Sequence, residues 1–198
     1  MLTGIHTSMT TDEIDWSRGP RPLALAIRGL DSLNTILRWI VGGLLALATT
    51  AIAIQIVVRF ILGAIGMNIA APWTEEVARY SSIWTVFLGV AVLTRQSGLI
   101  AVEMFPQLLP KRPGTTVKIV ATLFTMAFFS AVFLIGLRFT YEGLMETSPV
   151  MRLRMAWIHA AIPVGSGLAI LNMLAFLLEC AVFGRNAVEV EDPEMRLD

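Results

Sequence analysis

The sequence predicts an all-α integral membrane protein with four transmembrane helices. Hydrophobic residues make up 56% of the 198 residues and charged residues only 15%, against about 25% in soluble domains. Four segments are apolar over the roughly 20 residues that a helix needs to cross a hydrocarbon core of about 30 Å. None shows the short alternating pattern of a barrel strand, so each is expected to satisfy its backbone hydrogen bonds as a helix.

The four spans are expected at about residues 37–62, 74–95, 115–141 and 157–183. Gly63, Pro110 and Pro149 lie in the intervening turns, where helix breakers are expected. Residues 22–183 would then form the membrane domain, residues 1–21 a flexible cytoplasmic arm, and the acidic residues 184–198 a disordered cytoplasmic tail.

Two shorter helices are expected to lie in the membrane surface. Residues 22–36 place apolar residues at helical spacing, with Arg28, Asp31 and Asn34 apart from that stripe, which is typical of an amphipathic arm helix. The stripe consists of Leu23, Ile27, Leu30, Leu33 and Leu37. The alternative is a simple cytoplasmic extension of the first span. The second surface helix is expected at Leu99–Leu109, between spans 2 and 3. This segment is too short to cross the membrane and contains Pro106.

The basic residues favour an orientation with both termini in the cytoplasm. Ten lie near the predicted inner ends of the spans and five near the outer ends. The inner set is Arg18, Arg21, Arg28, Arg38, Arg95, Lys111, Arg112, Lys118, Arg185 and Arg196. The outer set is Arg59, Arg79, Arg138, Arg152 and Arg154. The polar start is unlike a secretory signal, so the first apolar segment is expected to remain as an anchor.

Several functional classes are disfavoured by what the sequence contains. A formal net charge of zero gives no basic field for nucleic acid. The single cysteine, Cys180, excludes an intrachain disulfide and a cysteine metal cluster. Its two histidines, His6 and His159, show no haem- or zinc-ligand pattern. The sequence therefore predicts neither an enzyme nor a protein with a metal or other cofactor.

The second span carries charges that need an explanation. Trp73 and Thr74 precede Glu75 and Glu76, where carboxylates favour the positive end of the helix dipole. Arg79 follows Glu75 by four residues and Glu76 by three, so an intrahelical ion pair could reduce the cost of a charge near the membrane boundary.

Further along this span, Ser82, Thr85 and Gly89 form a small-residue stripe that another helix could approach closely. Trp73, Tyr80, Trp84 and Arg95 could instead be aromatic-belt and snorkelling residues that fix the depth of the helix.

Three elements together resemble the small membrane subunit of tripartite ATP-independent periplasmic (TRAP) transporters, the DctQ-like small permease. They are Glu76 and Arg79 followed by Trp84 and Gly89; Arg95 with Gly98 and the segment LIAVEMFPQLLP; and AWIHAAIPVGSGL, which opens the last span. The size, the four spans and the predicted inside termini agree with that family.

The resemblance implies a partner-dependent function in the bacterial inner membrane. Such subunits pair with a larger multi-spanning permease and a periplasmic substrate-binding protein, and uptake of organic acids is driven by an ion gradient, commonly of sodium. The large subunit holds the substrate and ion sites, and the small subunit is a scaffold in the lipid that helps to dock the binding protein.

On that basis, one set of residues is predicted to pack helices or meet the large subunit: Glu76, Arg79, Ser82, Trp84, Thr85, Gly89, Arg95 and Gly98. A second set is predicted to contact the docked binding protein: Trp73, Glu75, Arg152 and Arg154.

The rival interpretation is a self-sufficient homo-oligomeric channel or transporter. It would need polar pore residues on several helices, yet Gln55, Glu103, Glu142 and Asn172 show no common ring in the sequence. An integral membrane enzyme or redox subunit ranks third, because it would require ligands or nucleophiles that the pattern lacks.

Overall fold

The computed structural model describes residues 20–62, 71–95 and 111–182, and it confirms the all-α fold class with four helices long and apolar enough to span a membrane. The helices are α1 (Arg21–Ile56, continued by a π-helical turn, Val57–Leu62), α2 (Pro72–Arg95), α3 (Lys111–Glu142), the short α4 (Met155–His159) and α5 (Ala161–Val182). Among these residues, extended structure is limited to an isolated bridge between Thr147 and Arg154.

Helix α1 joins the predicted amphipathic arm to the first span without a break. It begins after Pro20 and runs through the arm segment into the apolar segment, as the alternative interpretation expected. The arm's apolar stripe was partly misplaced, because Leu33 is 39% exposed whereas Asn34 is buried. The reason is that the Asn34 amide bonds to Asn172 of α5, so Asn34 takes the place of Leu33 on the buried face, whereas Ile27 and Leu37 of the stripe are buried.

The last span is interrupted near its start. Helices α4 and α5 are separated at Ala160, three residues before Pro163. Proline cannot donate a backbone hydrogen bond, and its ring clashes with the carbonyl four residues earlier, here that of His159. The interruption of the last span therefore falls one turn upstream of Pro163.

The long helices pack in the order α1, α2, α5, α3. Helices α2 and α5 are the more buried pair, whereas α1 and α3 expose most of their apolar side chains. An apolar cluster of Leu37, Leu88 and Val92, with Trp84 and Leu168 against it, joins α1, α2 and α5. The molecule is thus a layer with two central and two outer helices, and its outer helices present broad apolar surfaces.

Close backbone approach holds the centre of this layer. A Cβ atom built on Gly165 of α5 would lie 2.6 Å from both the Cβ and the carbonyl oxygen of Phe87 on α2. One built on Gly136 of α3 would lie 2.7 Å from Ile162 Cγ2 and 2.9 Å from Pro163 Cδ. Glycine is required at both positions because the contacting backbone and ring atoms cannot move aside.

The predicted interfacial helix Leu99–Leu109, residue Gly98, the first 19 residues and the tail from residue 183 lie outside the described residues.

Candidate functional site

An ion cluster joins three helices at the end of the layer where α2 and α5 terminate, here called the Arg95 end. Arg95, the last residue of α2, is 6% exposed. Its Nε donates to Asp31 Oδ1 of α1 at 2.6 Å, and its Nη2 donates to Glu179 Oε1 of α5 at 2.5 Å. Glu179 is fully buried, at 0% exposure. Arg95 is therefore a linker between helices rather than a residue that snorkels towards water.

One turn deeper, two asparagines form a reciprocal amide pair. Asn34 Nδ2 donates to Asn172 Oδ1 at 2.8 Å, and Asn172 Nδ2 donates to Asn34 Oδ1 at 2.9 Å. Asn34 Nδ2 also donates to the Leu30 carbonyl at 2.8 Å, and Asn172 Nδ2 also donates to the Ala91 carbonyl at 2.6 Å. The pair connects α1, α2 and α5 with all four amide hydrogens satisfied, which fixes the register of the helices.

At the opposite end, Glu76 of α2 binds the turn that connects α3 to α4. The Glu76 side chain is 3% exposed. Ser148 Oγ donates to Glu76 Oε2, as does the Met151 backbone nitrogen at 2.9 Å, and the Val150 backbone nitrogen donates to Oε1 at 3.1 Å. The carboxylate thus ties the start of α2 to this turn, with both oxygens engaged.

The intrahelical ion pair at the start of α2 uses the other glutamate. Arg79 Nη2 lies 3.0 Å from Glu75 Oε1, and both side chains are largely exposed. Trp73 is exposed beside them. Arg152 and Arg154 are exposed in the α3–α4 turn, at the same end of the layer. The residues predicted as docking contacts therefore share one end of the molecule. This end contains the start of α2 and the hairpin-shaped turn between α3 and α4, and it is here called the hairpin end.

The small-residue stripe of α2 is not a single packed face within the chain. Ser82 is exposed and bonds back to the Ala78 carbonyl, and Thr85 is half-buried and bonds back to the Ser81 carbonyl. Gly89 faces α1, with Val41 3.9 Å from a built Cβ, and Trp84 packs against the apolar cluster. The closest approach to α2 is instead made by α5, at Phe87.

Comparison with known proteins decides the family. A family model described as tripartite ATP-independent periplasmic transporters, DctQ component, matches residues 33–182. The chain belongs to this family. The matched region of the DctQ component runs from the first span to the last residue of α5, so it contains Glu76, Arg95 and the asparagine pair, whereas Asp31 lies just before it.

A relative named as a TRAP transporter permease is similar to part of this chain. The isethionate TRAP transporter permease protein DctMQ of Oleidesulfovibrio alaskensis is 31% identical over 110 residues. The match covers 53% of this chain and 17% of the relative, so this DctQ-component chain corresponds to a small part of that protein.

Four residues of the DctQ-component structure were missed as functional candidates. The sequence pattern places Asp31 and Asn34 on the polar side of a surface helix and Asn172 among scattered polar residues, and it assigns no role to Glu179. A signal was available, because Asn172 and Glu179 are seven residues apart on one face of an apolar helix. Polar groups within a span favour partners on neighbouring helices.

Proposed function

We propose that this chain is the small permease subunit of a TRAP-type secondary transporter, which scaffolds a large permease subunit and helps to dock a periplasmic substrate-binding protein. The observation that carries the proposal is the DctQ-component match, which extends over all four spans. The geometry supports a scaffold, because the buried charged and amide groups bond to one another or to a turn. They hold helices together rather than line an open path.

The proposed orientation places the hairpin end in the periplasm and the Arg95 end in the cytoplasm, with the protein in the bacterial inner membrane. It rests on the excess of basic residues near the Arg95 end. Both termini are then cytoplasmic. Cysteine labelling at Arg152 and at Arg28, with a membrane-impermeant maleimide on intact cells, tests it. Only the former position should react, and the reverse pattern would overturn the orientation.

The proposed contact with the large permease is the face of α2 that carries the exposed Arg79 and Ser82 and the half-buried Thr85. Gly98, which lies outside the described residues, stays a predicted contact. Arg79 and Glu75 form an exposed pair that contributes little to the stability of the chain alone. An effect of Arg79→Ala on assembly would therefore report a contact with the partner.

Arg79→Ala should reduce both copurification with the large subunit and substrate uptake. Arg138→Ala is the matched control, because Arg138 forms an equivalent exposed pair with Glu142 on α3. Unchanged copurification and uptake with Arg79→Ala would exclude Arg79 from the interface.

The hairpin end is the proposed dock for the binding protein, through Trp73, Glu75, Arg152 and Arg154. Changing Arg152 and Arg154 together to Glu should raise the binding-protein concentration needed for half-maximal uptake about three- to tenfold, as charge changes at an interface rim slow association. The effect should shrink at high salt. An unchanged half-maximal concentration would remove both arginines from the dock.

The proposed transport reaction is uptake of a small organic acid driven by an ion gradient, commonly of sodium, with the substrate and ion sites in the large subunit. The relative is named as a transporter permease for isethionate, a small organic anion, which supports this substrate class. Uptake by the reconstituted three-component system should require both the binding protein and the ion gradient. Uptake without the binding protein would contradict the proposal.

A further inference from the structure

The turn between α3 and α4 is a hydrogen-bonded hairpin, here called the hairpin (residues 143–156). At its base, Ala156 N donates to the Gly143 carbonyl at 2.9 Å and Met155 N donates to the Glu146 carbonyl at 3.0 Å. Nearer the tip, Ser148 N donates to the Leu153 carbonyl at 2.8 Å. These bonds cross between the two arms, so the base of the hairpin is well defined without help from another element.

The tip of the hairpin depends on Glu76. The backbone N–H groups of Val150 and Met151 point inward to the Glu76 carboxylate, and the Ser148 hydroxyl does the same. Bonds from uncharged donors to a carboxylate are stronger than neutral ones, and buried donors that lose them are costly. Glu76 reaches the tip from a different helix, so it fixes the tip relative to α2.

The hairpin fixed in this way presents basic and apolar side chains outward. Arg152 has a φ of 52°, a left-handed conformation that is rare for a residue with a side chain. Neither Arg152 nor Arg154 forms an ion pair with any residue that the structure describes. Met145 is 92% exposed, and Met151 is exposed beside Arg152. Unpaired basic groups next to exposed methionines complement a protein surface that carries carboxylates and apolar side chains.

We propose that Glu76 is a positioning residue for docking: its carboxylate holds the hairpin tip in the conformation that an acidic, apolar surface of the periplasmic binding protein recognises. This inference rests on the proposed function and adds a residue that does not touch the partner. Holding the tip before binding reduces the conformational freedom lost on docking, so Glu76 acts on affinity for the binding protein rather than on the transport step.

The decisive experiment measures uptake in vesicles containing this chain with its large subunit, as a function of binding-protein concentration. Glu76→Gln replaces one acceptor oxygen by an NH₂ group that faces N–H and O–H donors. It should raise the half-maximal concentration about five- to tenfold with little change in the maximal rate. Ser148→Ala removes one of the bonds and keeps the carboxylate, so it should give a smaller shift, about two- to threefold.

The matched control is Glu142→Gln, which neutralises an exposed carboxylate at the same end whose partner is Arg138. It should leave both the half-maximal concentration and the maximal rate unchanged. The double variant Glu76→Gln with Ser148→Ala should be no worse than Glu76→Gln alone, because Ser148 acts through Glu76.

A second measurement reports the hairpin itself. Trypsin cleaves after arginine, so cleavage after Arg152 and Arg154 in the purified complex, followed by mass spectrometry, measures how often the tip opens. Both Glu76→Gln and Ser148→Ala should accelerate this cleavage, and Glu142→Gln should not. Ser148→Ala keeps the test decisive if Glu76→Gln fails to assemble.

Each other outcome counts against the inference. A lower maximal rate with an unchanged half-maximal concentration would make Glu76 a purely structural residue. A shift that follows the anionic-lipid content of the vesicles instead of the binding protein would assign the basic tip to lipid. If uptake by the wild-type complex does not saturate with increasing binding-protein concentration, the proposed function is overturned. The results with the variants test only the role of Glu76.

Discussion

At the scale of single residues, Arg95 is the strongest link between helices. It bonds to carboxylates on α1 and α5, and Glu179 is fully buried. Removing one partner of a buried ion pair leaves an uncompensated charge and typically costs about 3 to 5 kcal/mol. Arg95→Ala should therefore lower the free energy of unfolding in detergent by about that amount, measured by denaturant titration.

The exposed pair on α3 provides the comparison for this prediction. Arg138→Ala removes an ion pair with the same chemistry at the surface and should change stability by less than about 1 kcal/mol. Arg95→Met combined with Asp31→Asn and Glu179→Gln should recover part of the loss, because no buried charge is left alone. Equal effects of Arg95→Ala and Arg138→Ala would show that the cluster does not hold the helices.

The asparagine pair should show direct coupling. Asn34→Ala, Asn172→Ala and the double variant form a thermodynamic cycle, in which the coupling energy is expected to be about 0.6 to 2 kcal/mol, as for other hydrogen bonds between membrane helices. Additive effects of the two single changes would mean that the amides do not bond to each other. The same unfolding measurement serves for all three variants.

At the scale of elements, the contact of α2 with α5 depends on Gly165. Gly165→Ala would place a methyl group against the Phe87 backbone and force the two central helices apart. We expect a large decrease in the unfolding temperature. This temperature is measured in detergent from the change in intrinsic fluorescence on heating. Gly42→Ala is the matched control on α1, where a built Cβ meets nothing within 4 Å, and it should be neutral or slightly stabilising. Comparable losses for both variants would contradict the observed packing.

The helices of this chain are predictable from its sequence, whereas most contacts between them are not. The four apolar segments predicted the spans because their length and composition leave no other folded state in lipid. The partners of Glu76 were not predictable, because Ser148 and Met151 follow it by more than 70 positions and the choice between Arg79 and the hairpin depends on packing. Asn34 was misassigned for a related reason, since hydrophobicity alone places an asparagine at the surface.

At the scale of the whole molecule, the layer is compatible with the proposed scaffold role. Its two ends are held by polar clusters, whereas the apolar surfaces of α1 and α3 face outward. Such surfaces suit lipid and a second membrane subunit equally. The composition of the chain therefore predicts that it lies in a membrane but does not distinguish lipid from a partner subunit. Only membership of the family indicates a partner. The resemblance noted in the sequence is confirmed by the family match over residues 33–182.

The most direct test is the composition of the particle purified from native membranes in mild detergent. Mass spectrometry of the intact complex should find this 21.7 kDa chain together with a larger multi-spanning permease. The Arg138→Ala variant should give the same particle. A particle whose mass is only a multiple of 21.7 kDa would instead show a self-sufficient homo-oligomer and contradict the assignment of a small transporter subunit.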